Sequence, residues 1–467
     1  MNKKTSSRMT FALICAIIVG LACIAAAFSS QGGFGGSNAL FEAATTTQIA
    51  FILLALAFII VIPIIIRYLS KSSKELKRIA IEFENEKQAA EQKSKEAEEK
   101  PAEEETPDEP RFFMLNELDA EMKSHRAPAY DCKITLAELC ERFRSFAAGK
   151  LKLYYSIDDI RRFISNLASS HILIMQGMSG TGKTSLAYAF GEFIKNPSAI
   201  VPIQPMWKER SDLLGYYNEF TRRFSETLLL QKMYEANYKE DMFVVILDEM
   251  NIARVEYYFA EFLSLLEIPR PDRRYIDVVS DVWENDPSLL RNGQLRLPPN
   301  IWFIGTANND DSTFAISDKV YDRAMIMNLD TKADVFEPES AQDLHISAAY
   351  FDSLAKKAQK DFRLTGRNRR RLRRLDEYMI EKFKITFGNR ITKQIESYIP
   401  AYIACGGDEL AALDDIISKK VFRKLDTQNP IYVRNNVEAL SSFLDELFGY
   451  DKMPLCKAYL SKFERSA

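Results

Sequence analysis

The chain has 467 residues, 47% of them apolar, which is too long for one ordinary domain and enough to bury at least one large core. Lys+Arg 62 against Asp+Glu 65 leave a formal charge of -3, which excludes a global basic field and confines any polyanion contact to a local patch. Six cysteines (Cys15, Cys23, Cys132, Cys140, Cys405, Cys456) form no C-x-x-C pair and stand beside three histidines, a pattern that argues against a disulfide framework or a zinc site and for free thiols in a reducing compartment.

From the N-terminus, Thr10 to Phe28 and Ile49 to Ile66 are uncharged apolar runs, each close to the roughly 20 residues that a helix needs to cross a bilayer core. Two transmembrane helices, about 10–28 and 49–66, are therefore expected within residues 1–69. Lys3, Lys4 and Arg8 precede the first run and Arg67, Lys71, Lys74, Lys77 and Arg78 follow the second, while the segment between carries neither Lys nor Arg. By the positive-inside rule both ends face the cytoplasm, which implies a multi-pass protein of the cytoplasmic membrane. A signal peptide cleaved near Ala25-Ala26-Ala27 is a second reading of the first run, and it too leaves Arg67 onward cytoplasmic.

Residues 70–111 turn charged and helix-favouring, then acidic with proline, as a solvated stalk running into a flexible linker would. Leu76, Ile79 and Phe83 keep a 3-4 spacing for barely two turns, short of a coiled coil.

The next strong signal is HILIMQGMSGTGKTSLAYAF, His171 to Phe190. His171 to Gln176 reads as a strand, and Thr184 to Ile194 returns to a helical pattern. Between them Gly177 to Thr184 fits G-x-x-x-x-G-K-[ST] at every fixed position. In that context glycines let backbone N–H groups close on phosphate oxygens at a helix N-terminus, Lys183 adds a charge, and Thr184 a hydroxyl for Mg²⁺. The expected nucleotide contacts are Gly177, Ser179, Gly180, Thr181, Gly182, Lys183, Thr184 and Ser185.

A second apolar, β-branched run, Phe243 to Glu249, ends in two acids, as a buried parallel strand with a polar tip would. Asp248 there suits the Mg²⁺ shell, and Glu249 the activation of an attacking water. A third strand, Ile301 to Thr306, leads to Ala307-Asn308, which sets an amide at the sheet edge where doubly wound folds bind ligands. Asn308 is expected to align that water.

LDEMNIARVEYYFAEFLSLLE (247–267), LRLPPNIWFIGTANNDDS (295–312) and SDKVYDRA (317–324) together resemble the McrB-like branch of AAA+ ATPases, near the MoxR and dynein groups. Residues 200–236 resemble the strand and insert after its first helix, and 387–425 its helical lid. The resemblance implies an α/β, doubly wound P-loop domain over 112–335 with a helical lid and C-terminal region over 336–467. It implies Glu249, Asn308 and Arg323 as catalytic residues, Thr184 and Asp248 at Mg²⁺, ATP or GTP as substrate, and Asp311 as the acid of the branch's asparagine-x-x-acid signature. It also implies that Arg323 reaches the neighbouring subunit's nucleotide, hence a homo-oligomeric, hexameric ring, and that Arg390 in FGNR is the second sensor. The chain departs from the branch's restriction motors in showing Asp322-Arg323-Ala324 where they carry consecutive arginines, and membrane runs where they carry a modified-base reader.

Residues 363–374 pack seven arginines into twelve positions without an interleaved aromatic, which leaves two readings: a solvated or subunit-contact face, or a polyanion contact to nucleic acid or lipid. The leading expectation is a membrane-tethered NTPase, ATP before GTP, that drives a separate nuclease or other effector in defence against foreign DNA. The alternatives are a MoxR-like remodelling chaperone and a nucleotide-gated scaffold.

Overall fold

The computed structural model describes residues 109–308, 313–330, 333–339 and 341–465. The expected transmembrane helices, nearly all of the stalk, and Asp311 lie outside them. Among the described residues no helix is long and apolar enough to cross a membrane. Labels below number the strands of the main sheet and the longer helices.

After α1 (Met114–Met122), α2 (Leu136–Leu151) and α3 (Ile157–Ser169) lead to a five-stranded parallel sheet: β1 (Ile172–Gly177), β2 (Ala199–Pro202), β3 (Phe243–Asp248), β4 (Ile301–Asn308) and β5 (Met325–Asn328). Its strand order is β2-β3-β4-β1-β5. Helix α4 (Lys183–Phe193) joins β1 to β2, and α5 (Leu228–Ala236) precedes β3. Two antiparallel hairpins, Tyr217–Asn218 with Arg223–Phe224 and Tyr275–Asp277 with Gln294–Arg296, are inserted outside the main sheet.

Alternation along each strand divides the core in two. Leu173, Met175, Val244, Ile246, Trp302, Ile304, Met325 and Met327 face one apolar cluster shared with α2, α3, α4 and the C-terminal helices. Ile172, Ile174, Phe243, Val245, Leu247, Ile301 and Phe303 face a second cluster with α5 and the inserts. Being covered on both faces is why these strands are apolar throughout and carry polar residues only at their ends. Registry then fixes the site: Gly177 stands opposite Asn308, and Leu247, one residue before Asp248, opposite Gly305. The tips of β1, β3 and β4 therefore share one C-terminal edge.

The C-terminal helices are α6 (Ala348–Asp361), α7 (Gly366–Phe383), α8 (Gly388–Ala404) and α9 (Glu409–Ile416), then a π-helical turn (Ile417–Val421), a 3₁₀ stretch (Phe422–Thr427), α10 (Pro430–Phe448) and α11 (Pro454–Arg465). Helix α7 carries the arginine run. Thr365 caps its start, and Asn368, Leu372, Leu375, Met379 and Phe383 form one buried stripe. The charges thus cover the remaining flanks of an amphipathic helix. Arg371 and Arg374 lie against the Phe448 and Phe443 rings of α10, while Arg367, Arg369, Arg370 and Arg373 are exposed. Arg111, at the end of the expected linker, is 1% exposed and bonded to Asp281 and Asp286, so the folded unit already includes it.

Candidate functional site

The loop after β1 takes its shape from glycine. Gly177 has φ +139°, and a Cβ there would lie 2.4 Å from the Leu329 carbonyl oxygen; Gly180 and Gly182 have φ +77° and +92°. No side chain suits these angles as well, and the turn brings the chain directly into α4 at Lys183. The first-turn N–H groups of α4 consequently point at the loop, an arrangement that receives phosphate. Lys183 is 6% exposed and its Nζ donates to the carbonyls of Gly177 (3.0 Å) and Met178 (2.7 Å). Ser179 and Gly180 are exposed at the loop tip, Thr181 Oγ1 donates to Met178 O (3.1 Å), and Ser185 is half-buried on the first turn of α4. Tyr155, ahead of α3, donates to the Gly182 carbonyl at 3.0 Å, and burial pushes its phenol well above the usual range.

Across the sheet edge, Thr184 Oγ1 donates to Asp248 Oδ1 at 2.7 Å, and Thr306 Oγ1 donates to the same oxygen at 2.8 Å. The Glu249 N–H donates back to Thr306 Oγ1 at 2.9 Å. Asn308 Nδ2 reaches Glu249 Oε1 at 3.4 Å. Hydroxyl and carboxylate oxygens of Thr184 and Asp248 are the hard donors that suit Mg²⁺, so these residues fit the ion.

Glu249 adopts φ +51°, in the left-handed region that non-glycine residues seldom enter. The turn is enforced by packing: Met250 sits so tightly over Gly305 that a Cβ there would lie 1.9 Å from its Sδ. Asn251, 5% exposed, donates to Asn308 O and Thr313 Oγ1, both at 2.9 Å, and so fixes the end of β4.

Arg323 lies elsewhere. It precedes β5, whose Met325 pairs with Leu173, four residues before Gly177. At about 3.3 Å per residue, Met325 lies ~13 Å from Gly177 along the strand, and Arg323 precedes it. Its Nη2 pairs with Glu267 Oε2 at 3.0 Å, and its buried Nε has no hydrogen-bond partner among the described residues. Arg390 bonds the same carboxylate, Nε to Oε1 at 2.7 Å and Nη2 to Oε2 at 3.0 Å. The structure thus brings Lys183, Thr184, Asp248, Glu249 and Asn308 together, and joins Arg390 to Arg323 through Glu267.

Thr306, Tyr155, Asn251 and Glu267 were not singled out from sequence. Thr306 alone left a signal, as a polar residue closing an apolar strand; the others gain their places only from tertiary packing.

Residues 172–324 match the family model described as AAA domain (dynein-related subfamily). No curated protein matches the chain. Among solved structures, a protein assigned as an ATPase from Cytophaga hutchinsonii aligns at 12% identity with a TM-score of 0.43, over 70% of this chain and 95% of that one. A full-length MCM homolog from Methanopyrus kandleri aligns at 11% identity with a TM-score of 0.31, over 62% of this chain and 56% of that one. Both overlaps are loose and add nothing to the family match. Over residues 172–324 this chain is similar to AAA domains of the dynein-related subfamily, and that stretch holds the phosphate loop and every strand but β5 of the five-stranded parallel sheet of an α/β core.

Proposed function

We propose that the chain is a ring-forming nucleoside triphosphatase, using ATP in preference to GTP, tethered to the cytoplasmic membrane and driving a separate effector. The observation that carries hydrolysis is the bonded set Thr184–Asp248–Thr306–Glu249–Asn308 beside the phosphate loop. Lys183 and the α4 N-terminus hold phosphates. Thr184 and Asp248 hold Mg²⁺, which when bound neutralises charge on the phosphate oxygens. Glu249 takes the proton of the attacking water, and Asn308, within reach of Glu249, orients that water.

The distance of Arg323 from its own loop favours a site completed by the next subunit. In a ring, Arg323 leaves Glu267 for the neighbour's γ-phosphate, with Arg390 beside it. The apolar runs near the N-terminus supply the tether, and the leading effector is a nuclease acting on foreign DNA. Hydrolysis of ATP and of GTP by the purified full chain tests the core of this reading. Glu249→Gln is expected to lose on the order of 10²-fold or more in rate while still binding nucleotide, and Lys183→Ala to lose binding. Undiminished turnover in Glu249→Gln contradicts it. Mass spectrometry of what co-purifies with nucleotide-trapped Glu249→Gln tests the effector: a nuclease supports defence, and membrane-protein clients alone point to a remodelling chaperone.

A further inference from the structure

Arg323 is carried by the short segment Asp318 to Ala324, and the C-terminal helices hold that segment with three basic side chains, Lys420, Arg423 and Lys424. The π-helical turn Ile417–Val421, a rare conformation, continues α9 and buries Lys419 and Lys420, 9% and 3% exposed. Lys419 is used internally, bonded to Asp415 at 2.5 Å. Lys420 is not: its Nζ crosses to donate to the carbonyls of Tyr321 (2.5 Å) and Ala324 (2.7 Å), the residues that bracket Asp322 and Arg323. One turn on, Arg423 pairs with Asp318 at 2.6 Å and lies over the Tyr321 ring at 4.0 Å, and Lys424 pairs with Asp322 at 3.4 Å. From α8, Gln394 Nε2 donates to the Asp322 carbonyl at 3.2 Å. The segment is also tied to β1, where the Gln176 amide bonds the Tyr321 hydroxyl.

A buried lysine that donates to two main-chain carbonyls of another element is costly to desolvate. Its effect is to fix the backbone from which the Arg323 side chain departs. We infer that Lys420 is a positioning residue for Arg323, and that Lys420, Arg423 and Lys424 make the lid the part of each subunit that aims its arginine at the neighbour's nucleotide. This rests on the proposed role of Arg323 across the subunit boundary.

The test is a double-mutant cycle on the full chain, reading kcat and the affinity for a fluorescent ATP analogue. Misplacing a charge by about 1 Å costs on the order of 10²-fold in rate. Lys420→Met is therefore expected to lower kcat by about that factor with nucleotide affinity unchanged, and to lower it no further when added to Arg323→Ala. Losses that multiply in the double variant, or weakened nucleotide binding, show a merely structural lysine and overturn the inference. If Lys420→Met does not fold, the pair Arg423→Gln with Lys424→Gln, on the more accessible side of the segment, must show the same failure to add to Arg323→Ala; additive losses there overturn it equally. Full activity in Arg323→Ala alone removes the parent assignment instead, so the two failures are told apart.

Discussion

Glu249 shows at the scale of one residue how this site is held. Its left-handed backbone, a conformation that costs on the order of 1 kcal/mol or more in a non-glycine residue, persists because Thr306 receives its N–H and Met250 is locked over Gly305. Thr306 is the hinge of that arrangement, since its hydroxyl also donates to Asp248. Thr306→Val keeps the shape but removes the acceptor of the Glu249 N–H and leaves Asp248 Oδ1 with the Thr184 hydroxyl as its remaining donor. It is expected to lose about 1–3 kcal/mol of stability in denaturant titration and to lower kcat; stability and rate both at wild-type levels would contradict the hinge role. Lys420 gives a pH signature. Burial pulls its ammonium from the ordinary 10.5 down to about 7; Arg423 and Lys424 push the same way and Asp322 opposes. Between those values the unfolded chain binds a proton that the folded chain does not, so folding becomes more favourable as pH rises through that window and gains nothing below it. Wild type should therefore gain stability relative to Lys420→Met between about pH 7 and pH 10. A flat difference would mean that the lysine is not desolvated as its position implies.

The elements differ in how far they could be foreseen. β1, β3 and β4 were legible because strands buried on both faces are continuous apolar runs, and their chemistry stands at their tips, as Gly177, Asp248 and Asn308 do. The loop after β1 was legible because its shape is set locally, by three glycines and a lysine within seven residues. The π-helical turn was not: Ile417–Val421 has ordinary helical composition, and its i→i+5 bonding leaves no mark in the residue pattern. The two inserted hairpins escaped because each strand has only two or three residues. In α7 the arginine density concealed the period, although Leu372, Leu375, Met379 and Phe383 keep a helical spacing. For that helix Leu372→Ala is expected to cost about 2–5 kcal/mol, whereas Arg369→Gln and Arg370→Gln, both exposed, should each stay within roughly 0.5 kcal/mol. Thermal and chemical denaturation check both; a large loss from either arginine would mean that the exposed flank bears on the fold.

For the whole molecule, the proposed reading makes one chain an incomplete enzyme. Phosphate-binding groups, acid and amide gather at one sheet edge, while Arg323 and Arg390 share the Glu267 carboxylate at a separate place. An arginine supplied from outside the site is worth roughly 10³–10⁵ in rate for related phosphoryl transfers, which is the scale of the loss expected of Arg323→Ala. Two inactive chains can then repair each other: Lys183→Ala holds no nucleotide but offers its arginine, and Arg323→Ala holds nucleotide but offers none. The decisive measurement is nucleotide hydrolysis by an equimolar mixture of purified Lys183→Ala and Arg323→Ala proteins, against each alone. Turnover in the mixture that neither shows by itself is the result predicted for a site built by two subunits. A mixture as inactive as its parts, with mixed assembly demonstrated by differently tagged chains, would contradict it.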